Sequence, residues 1–483
     1  MPLFLLLGAP LLAAVIALMR SRYARLTGQV SVWLSLVPIG AAGYLWREVN
    51  RGAPVSAAGD LVRADALSVV LISCVSIVAA LAAWLGPGWW GREDLRDYQI
   101  RRFVIFSNLF TLTMLAAVVS NNVGLMWVAI EATTIVSAVL IPLRLGKSSV
   151  EASWKYLLIG SVGIALAFIG TVLAYFDFVQ RAGATTQALN WTVLVTAAPH
   201  LHPDVMRLAF VFLLVGYGTK AGLAPMHTWL PDAHSEAPAP LSAMMSGVLL
   251  AVALYAIMRW KTVVDLALGT PFTNRLLIGL GLFSLVIAAF SLVTQRNYKR
   301  MLAYSSIEHT GLTCLGLAFG PLGVFAALLH LVNHSLVKST MFLLSGRLHE
   351  RYGTTNLAAV TGLLRTMPWT GALFAAGMLA VIGLPPFGLF ISEFALLRAG
   401  FATGHRLLAV VMLALLVLVF VSLLTHLNRM LYGAGVEGLR RGEDHAGALV
   451  PLALCLAVIV ALGLVIPAPF WRLLTMGAAV VTR

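Results

Sequence analysis

Charged side chains are scarce in this 483-residue chain, where Asp, Glu, Lys and Arg together make up 11%. A soluble domain carries about 25%. Sixty per cent of the residues are hydrophobic, so the shortage excludes a soluble enzyme and leaves a polytopic membrane protein. Cysteine is also sparse. Cys74, Cys314 and Cys455 lie far apart in apolar segments, and no Cys-x-x-Cys occurs. That excludes a self-contained cysteine-ligated Fe–S cluster, a nickel site held by cysteine pairs and a disulfide framework. The three read as small buried apolar residues. Long polar stretches are missing too: the longest links, 47–63, 178–204 and 429–447, are too short to fold alone. Acidic residues number 19 against 33 basic ones, a net charge of +14. The basic residues sit in short links between apolar segments, as the positive-inside rule expects. Some can meet anionic lipid, and nucleic acid is rejected as a partner. The apolar segment from Pro2 to Met19 lacks a basic leader and a small-residue cleavage site. It reads as a retained first helix rather than a signal peptide.

Apolar windows are what the chain has in abundance. They fall near 2–19, 27–46, 64–85, 103–120, 122–143, 156–177, 205–226, 237–258, 273–294, 302–320, 322–345, 370–397, 407–428 and 449–471. All fourteen are expected to be helices, because an open sheet cannot span lipid. With the N-terminus outside, about 19 basic residues fall on the inner side and about 12 on the outer. The bias places both termini outside. Segment 4 is centred about 172 residues before segment 9, and nearly the same offset links segments 5–8 to 10–13. Five helices is an odd number, so successive copies must be inverted in the membrane, which is a transporter architecture. The expected division is 1–101 for the first three helices, 102–260 and 261–430 for two inverted repeats, and 431–483 for a C-terminal helix. Segments 7 and 12 are both interrupted, by Gly216 to Pro225 and by Gly383 to Gly388.

Ionisable residues inside these windows carry the functional signal. Lys220 lies in the apolar run from Leu208 to Met226, where a mid-membrane charge costs roughly 2.5–3.5 kcal/mol on insertion scales. Its helix is broken by glycine and proline, the sequence sign of an ion or substrate pathway. Glu131 has no basic neighbour within ten residues, so it finds a partner in space, Lys220 or Lys155, or stays protonated. His330, His334 and Lys338 recur at i, i+4 and i+8, which puts them on one helical face as a path for proton hopping. The helix lacks His-Glu-x-x-His and Lys338 would repel a cation, so no metal and no cofactor are expected. Glu393 follows the second break, and Glu308 with His309 add a further titratable pair. The link holding His227, Asp232, His234 and Glu236 reads either as a lateral uptake point for protons or as a tight turn capped by Asp232 or Ser235.

The run Gly216-Tyr-Gly-Thr-Lys220-Ala-Gly-Leu-Ala-Pro-Met-His-Thr-Trp-Leu-Pro-Asp-Ala-His-Ser-Glu-Ala-Pro resembles the signature of the antiporter-like membrane subunits of respiratory complex I, Mrp-type sodium/proton antiporters and energy-converting membrane hydrogenases. The resemblance extends from segment 3 to segment 13. Ile130-Glu131-Ala-Thr-Thr, Glu151-Ala-Ser-Trp-Lys155-Tyr-Leu-Leu and the stretch 216–250 look most like component F of hydrogenase-4. The resemblance implies fourteen core helices and a hydrophilic axis along the mid-membrane plane. It implies that Glu131 and Lys220 form the ion pair of a first half-channel, with Lys155 auxiliary. His330, His334 and Lys338 would form the link and centre of the second half, and Glu393 its end. It also implies a bacterial inner-membrane complex with Ni–Fe and Fe–S peripheral subunits and no redox chemistry in this chain. One departure stands out. Many relatives carry His or Lys in segment 8, where this chain has Ser246 and Ala251. A relay there would need water, Ser246 or Tyr255. Two other readings follow: an Mrp-like cation/proton antiporter subunit, and a structural or coupling partner of another transporter such as an inorganic-carbon uptake complex.

Overall fold

In hydrocarbon every backbone N–H and C=O must be paired within the protein, so apolar segments of this length fold as helices. The computed structural model describes residues 1–19, 25–87, 95–433, 435–436 and 438–483. In chain order the helices are α1 (Pro2–Met19), α2 (Arg25–Asn50), α3 (Ala66–Trp84), α4 (Asp97–Val119), α5 (Val123–Ala138), α6 (Lys147–Ala182), α7 (Pro203–Lys220) and α8 (Trp229–Glu236). They continue with α9 (Ala239–Leu268), α10 (Thr270–Val293), α11 (Tyr298–Ala318), α12 (Gly320–Tyr352), α13 (Pro368–Val381), α14 (Gly388–Ala402), α15 (Arg406–Leu431), α16 (Val450–Leu464) and α17 (Ala468–Val481). Among the described residues, ten helices are long and apolar enough to cross a bilayer. Each of the fourteen windows contains at least one helix.

Three expectations change in detail. The window 449–471 is not one helix: Pro467 and Pro469 end the run after Leu464, and α17 starts afresh. Segment 8 does not stop at 258. It continues as α9 to Leu268, because Arg259 and Lys261 are neutralised inside the protein by Asp65 and Asp265. Segment 6 begins at Lys147 instead of 156. The links expected to be too short to fold alone carry small elements: an antiparallel hairpin, β1 (Val55–Ala57) and β2 (Val62–Ala64), and a short helix, Trp191–Ala197.

Both interrupted segments end by the same backbone device. Ala221 closes α7; then Gly222 N–H bonds to Thr219 O and Leu223 N–H to Gly218 O. Ile382 closes α13 likewise, with Gly383 N–H on Ala380 O and Leu384 N–H on Leu379 O. This is the Schellman termination, which needs a left-handed residue. Gly222 (φ +74°) and Gly383 (φ +75°) supply it. A cis proline follows each, at Ala224–Pro225 and Pro385–Pro386. Backbone groups freed by the first break are taken up by side chains: Ser284 Oγ accepts Ala224 N–H at 2.9 Å, and Trp229 Nε1 donates to Thr219 O at 2.9 Å.

Small residues let the helices carrying Lys220 approach closely. A Cβ on Gly163 would lie 2.6 Å from Thr219, and one on Gly216 would lie 2.5 Å from the Ala167 nitrogen. Without a hydrophobic drive between helices in lipid, such contacts hold helix pairs together. α10 and α11 cross as tightly, with Gly281 against the Gly311 carbonyl.

One face of the bundle is tied by loops. Asn121 Nδ2 donates to Asp60 and Thr192, and Trp191 N–H to Asn121 O. α17 lies across this face rather than through the bundle: Pro469 O accepts from Asn50, Val480 O from Thr262, and Phe325 packs at a tilt against Trp471. The C-terminal Arg483 lies over the Trp191 ring on this face, and α1 ends at the other, where Ala17 O accepts from Arg101 Nε. The opposite face is bolted by Glu443 and Asp444 in the link after α15. Glu443 caps α13 through Thr370 N (2.8 Å) and Oγ1 (2.6 Å), and Arg351 pairs with Asp444 at 2.6 Å.

Candidate functional site

Lys220 is the last helical residue of α7 and is fully buried. Its ammonium donates to Thr134 Oγ1 (2.7 Å) and to the Tyr156 hydroxyl (2.8 Å), and lies over the Tyr156 ring at 4.8 Å. Thr134 Oγ1 in turn donates to Glu131 Oε2 at 3.2 Å, and Ser161 Oγ holds Glu131 Oε1 at 2.7 Å. Glu131 and Lys220 therefore form no direct ion pair; one hydroxyl bridges them. Thr134 lies one turn after Glu131 on α5, which puts both side chains on one helical face. Ser137 Oγ extends the chain to Tyr156 at 2.8 Å.

Lys155 is not part of this cluster. It is half-exposed and pairs with Glu151 (2.6 Å) and Asp232 (3.4 Å). The neighbouring Tyr156 points to Lys220 instead, since adjacent helical positions face different ways. Asp232 also pairs with Arg300, and Glu236 accepts from Ser148 Oγ at 2.9 Å. Neither Asp232 nor Ser235 caps a helix: both lie inside α8, whose start has no side-chain cap. The segment is an ion-paired helix, not a capped turn. His227 is half-buried against Tyr304. His234 is fully buried, stacked 5.0 Å from Phe342, with both ring nitrogens unpartnered.

The second cluster joins α11, α12 and α14. His330 Nε2 meets His309 Nδ1 at 3.1 Å, and His330 Nδ1 meets Ser392 Oγ at 3.0 Å. The His309 and His334 rings lie 5.1 Å apart. Lys338 is fully buried and donates to Leu302 O (3.2 Å) and to Ser305 Oγ. The shared face of His330, His334 and Lys338 thus does not work along its own helix; its partners lie across on α11 and α14. The Glu393 carboxylate sits against the second break, where a Cβ on Gly383 would approach it to 2.2 Å. Glu393 Oε1, Glu308 Oε2, His309 Nε2 and His334 Nε2 are buried without partners.

Segment 8 contributes through a π-helical turn, Met245–Leu249, in α9. Such turns re-aim side chains and recur at functional sites. Ser246 Oγ lies 2.8 Å from Ser306 Oγ, which donates to the Leu302 carbonyl that Lys338 also uses. Ser246 is therefore wired to the second cluster. Tyr255 is not: its hydroxyl bonds to Val118 O (2.8 Å) and Ser68 Oγ (3.1 Å), under Arg259. Among the described residues, no hydrogen-bonded chain joins Lys220 to Ser246.

Sequence reading missed the hydroxyls, Thr134, Tyr156, Ser161, Ser305, Ser306 and Ser392, because a hydroxyl in an apolar window is cheap and common. The usable signal was spacing: Thr134 at i+3 from Glu131. It also missed the Asp65–Arg259 pair, two bonds of 2.7 Å with Ser68 as a third partner at 2.9 Å. Burial pushes the Asp65 carboxyl up, but Arg259 outweighs it and holds the group below its ordinary value.

The family described as NADH:quinone oxidoreductase/Mrp antiporter, TM, matches residues 120–419. A hydrogenase-4 component F homolog of Methylacidiphilum infernorum (isolate V4) is 38% identical over 73% of this chain and 75% of its own length. An NADH-quinone oxidoreductase subunit N of Desulforudis audaxviator (strain MP104C) is 30% identical over 91% of this chain and 83% of its own. Among solved structures, the membrane-bound sulfane sulfur reductase, an archaeal respiratory membrane complex, superposes with a TM-score of 0.88 at 25% identity, covering 99% of this chain and 97% of that one. The Mrp complex of Dietzia sp. DQ12-45-1b shares the fold at a TM-score of 0.88 and 22% identity, covering 100% of this chain and 97% of that one. With two clusters of buried charge beside two broken helices, and with these likenesses across most of its length, the chain belongs to the NADH:quinone oxidoreductase/Mrp antiporter family of membrane subunits.

Proposed function

We propose that this chain carries protons through the membrane plane as one subunit of a larger redox complex of the hydrogenase-4 type. The observation that carries the reading is the hydrogen-bonded run Glu131–Thr134–Lys220–Tyr156, a carboxylate and an ammonium held one hydroxyl apart in a buried site. Charge on either group changes the cost of charge on the other. A proton arriving at Glu131 weakens its hold on the Lys220 ammonium, and a proton leaving Lys220 releases Glu131. Thr134 can pass the proton because a hydroxyl donates and accepts at once. The second cluster would repeat this with Lys338, the three histidines and Glu393, and Ser246 is the group of segment 8 that reaches it. Transfer between the halves then needs water between Lys220 and Ser246.

Two inverted five-helix repeats would place one such half on each side of the membrane plane. The paired Schellman breaks support that arrangement. The charges are less regular: Gly222 and Gly383 differ by 161 positions, whereas Lys220 and Glu393 differ by 173. Lys220 precedes its break and Glu393 follows its own. Ni–Fe and Fe–S peripheral subunits, a bacterial inner membrane and termini on the outer side complete the reading. The test is Lys220→Ala in the assembled complex, with proton translocation in proteoliposomes measured beside redox turnover. Pumping is expected to fall to background. Unchanged pumping at intact turnover would refute the proposal.

A further inference from the structure

We propose that His309, His330 and Glu393 form a binding site for a transition-metal dication. One donor atom from each lies within 4.8 Å of the other two, and all three residues are buried. They come from α11, α12 and α14, so packing and not local spacing brings them together. This is why the helical spacing of His330, His334 and Lys338 pointed away from a metal.

The hydrogen bonds prepare the donors. Ser392 Oγ donates to Leu389 O at 2.8 Å, so it accepts from His330 Nδ1–H. That fixes the His330 tautomer and leaves Nε2 with its lone pair facing His309. A metal-bound imidazole is held in the same way, its second nitrogen donating to a neighbouring oxygen. The 3.1 Å between His330 Nε2 and His309 Nδ1 suits two nitrogens on one ion as well as it suits a hydrogen bond. Glu393 Oε1 and His309 Nε2 lack partners in a buried setting, so the cluster is under-satisfied as it stands. Lys338, the group expected to repel a cation, is occupied by the Leu302 carbonyl and Ser305. Glu393, ionised on binding the dication, would offset one of its two charges.

Two imidazole nitrogens and one carboxylate oxygen suit Zn²⁺ or Co²⁺, with a fourth position left for water. Mg²⁺ and Ca²⁺ prefer all-oxygen sites. A dication here would replace the His309–His330 hydrogen bond by two metal–nitrogen bonds, and the proton on His309 Nδ1 would pass to the unpartnered Nε2 of the same ring. That it would thereby block transport rests on the pathway proposed above.

Co²⁺ is the probe, because its tetrahedral complexes absorb visible light. The intact complex, stripped with chelator and titrated with Co²⁺, is expected to bind one ion per chain and to release it to Zn²⁺. His309→Gln and Glu393→Gln are expected to weaken binding by at least about tenfold. His426→Gln, whose ring bonds to Leu292 O far along the chain at 3.0 Å, is expected to bind as the wild type does. X-ray absorption at the zinc edge of the wild-type complex should show two imidazoles and an oxygen, a readout that needs no variant. Absence of the cobalt band, or binding that survives both glutamine substitutions, overturns the site. Zn²⁺ bound at the triad without effect on proton transport leaves the site standing and counts against the pathway.

Discussion

Thr134 shows how much rests on a single hydroxyl. It is the only group bonded to both Lys220 and Glu131 among the described residues. Thr134→Val keeps the shape and removes the bridge, so no cavity forms. A hydrogen bond to a charged group contributes about 1.5–3 kcal/mol. Proton transport per redox turnover is therefore expected to drop at least about tenfold, with Thr134→Ser restoring most of it. If valine matches threonine, the bridge has no role in transfer. A second residue-scale prediction concerns Asp65, which N-caps α3 and pairs with Arg259. Asp65→Asn leaves a buried guanidinium without its counter-charge, at a cost of about 3–5 kcal/mol. Because the folded Asp65 is held below its ordinary 3.8, its contribution is complete above that pH and is lost as pH falls through the lower folded value. The gap in thermal unfolding between wild type and Asp65→Asn should stay constant from about pH 8 to pH 5 and narrow below about pH 4. A gap that widens in acid would show that Arg259 does not depend on this carboxylate.

The two breaks were the most legible elements, and the reason is local. Gly222 and Gly383 sit one residue past the last helical turn, two to three residues before a proline, a pattern that ends a helix whatever surrounds it. Helix existence was legible for the same reason: lipid leaves the backbone one choice. The partners were not legible. Lys155 and Tyr156 are neighbours in sequence, and only the crossing of α6 and α7 decides that Tyr156 meets Lys220 while Lys155 meets Asp232. Likewise the face of α12 was readable, but its bonds to His309 and Ser392 depend on where α11 and α14 pack. The breaks give a test at this scale. Gly353→Ala, Gly222→Ala and Gly383→Ala all force alanine into a left-handed backbone, at about 1–2 kcal/mol. Gly353 has open space around its added methyl, while Gly222 would meet Leu230 at 2.3 Å and Gly383 the Glu393 carboxylate at 2.2 Å. Thermal unfolding of the complex should fall least for Gly353→Ala. Gly383→Ala should also lose proton transport, because it displaces Glu393. Equal losses at all three would mean that backbone strain alone matters.

The two ends of the helix bundle present unlike faces. On one lie the hairpin, the Trp191–Ala197 helix and α17, with few basic residues; on the other lie the start of α6, the 353–366 segment and the arginine-rich link around Arg440 and Arg441. α1 starts from the first of these faces and α17 ends on it, so both ends share it. We propose that this face is the outer one, because lysine and arginine number about 12 on its side against about 19 on the other. Lys220, Arg259, Lys261 and Lys338 are inside the protein and do not vote, which leaves about 10 basic residues on that face against about 19 on the other. The native cysteines are buried, so introduced ones can be labelled over a low background. Ala53→Cys lies in the exposed link before the hairpin, and Leu145→Cys lies 76% exposed between α5 and α6 on the other face. In right-side-out vesicles a membrane-impermeant maleimide should label the cysteine at 53 directly and the one at 145 only after permeabilisation. The reverse pattern would invert the molecule, and with it the side from which each half of the pathway takes its protons, while leaving every contact inside the bundle unchanged.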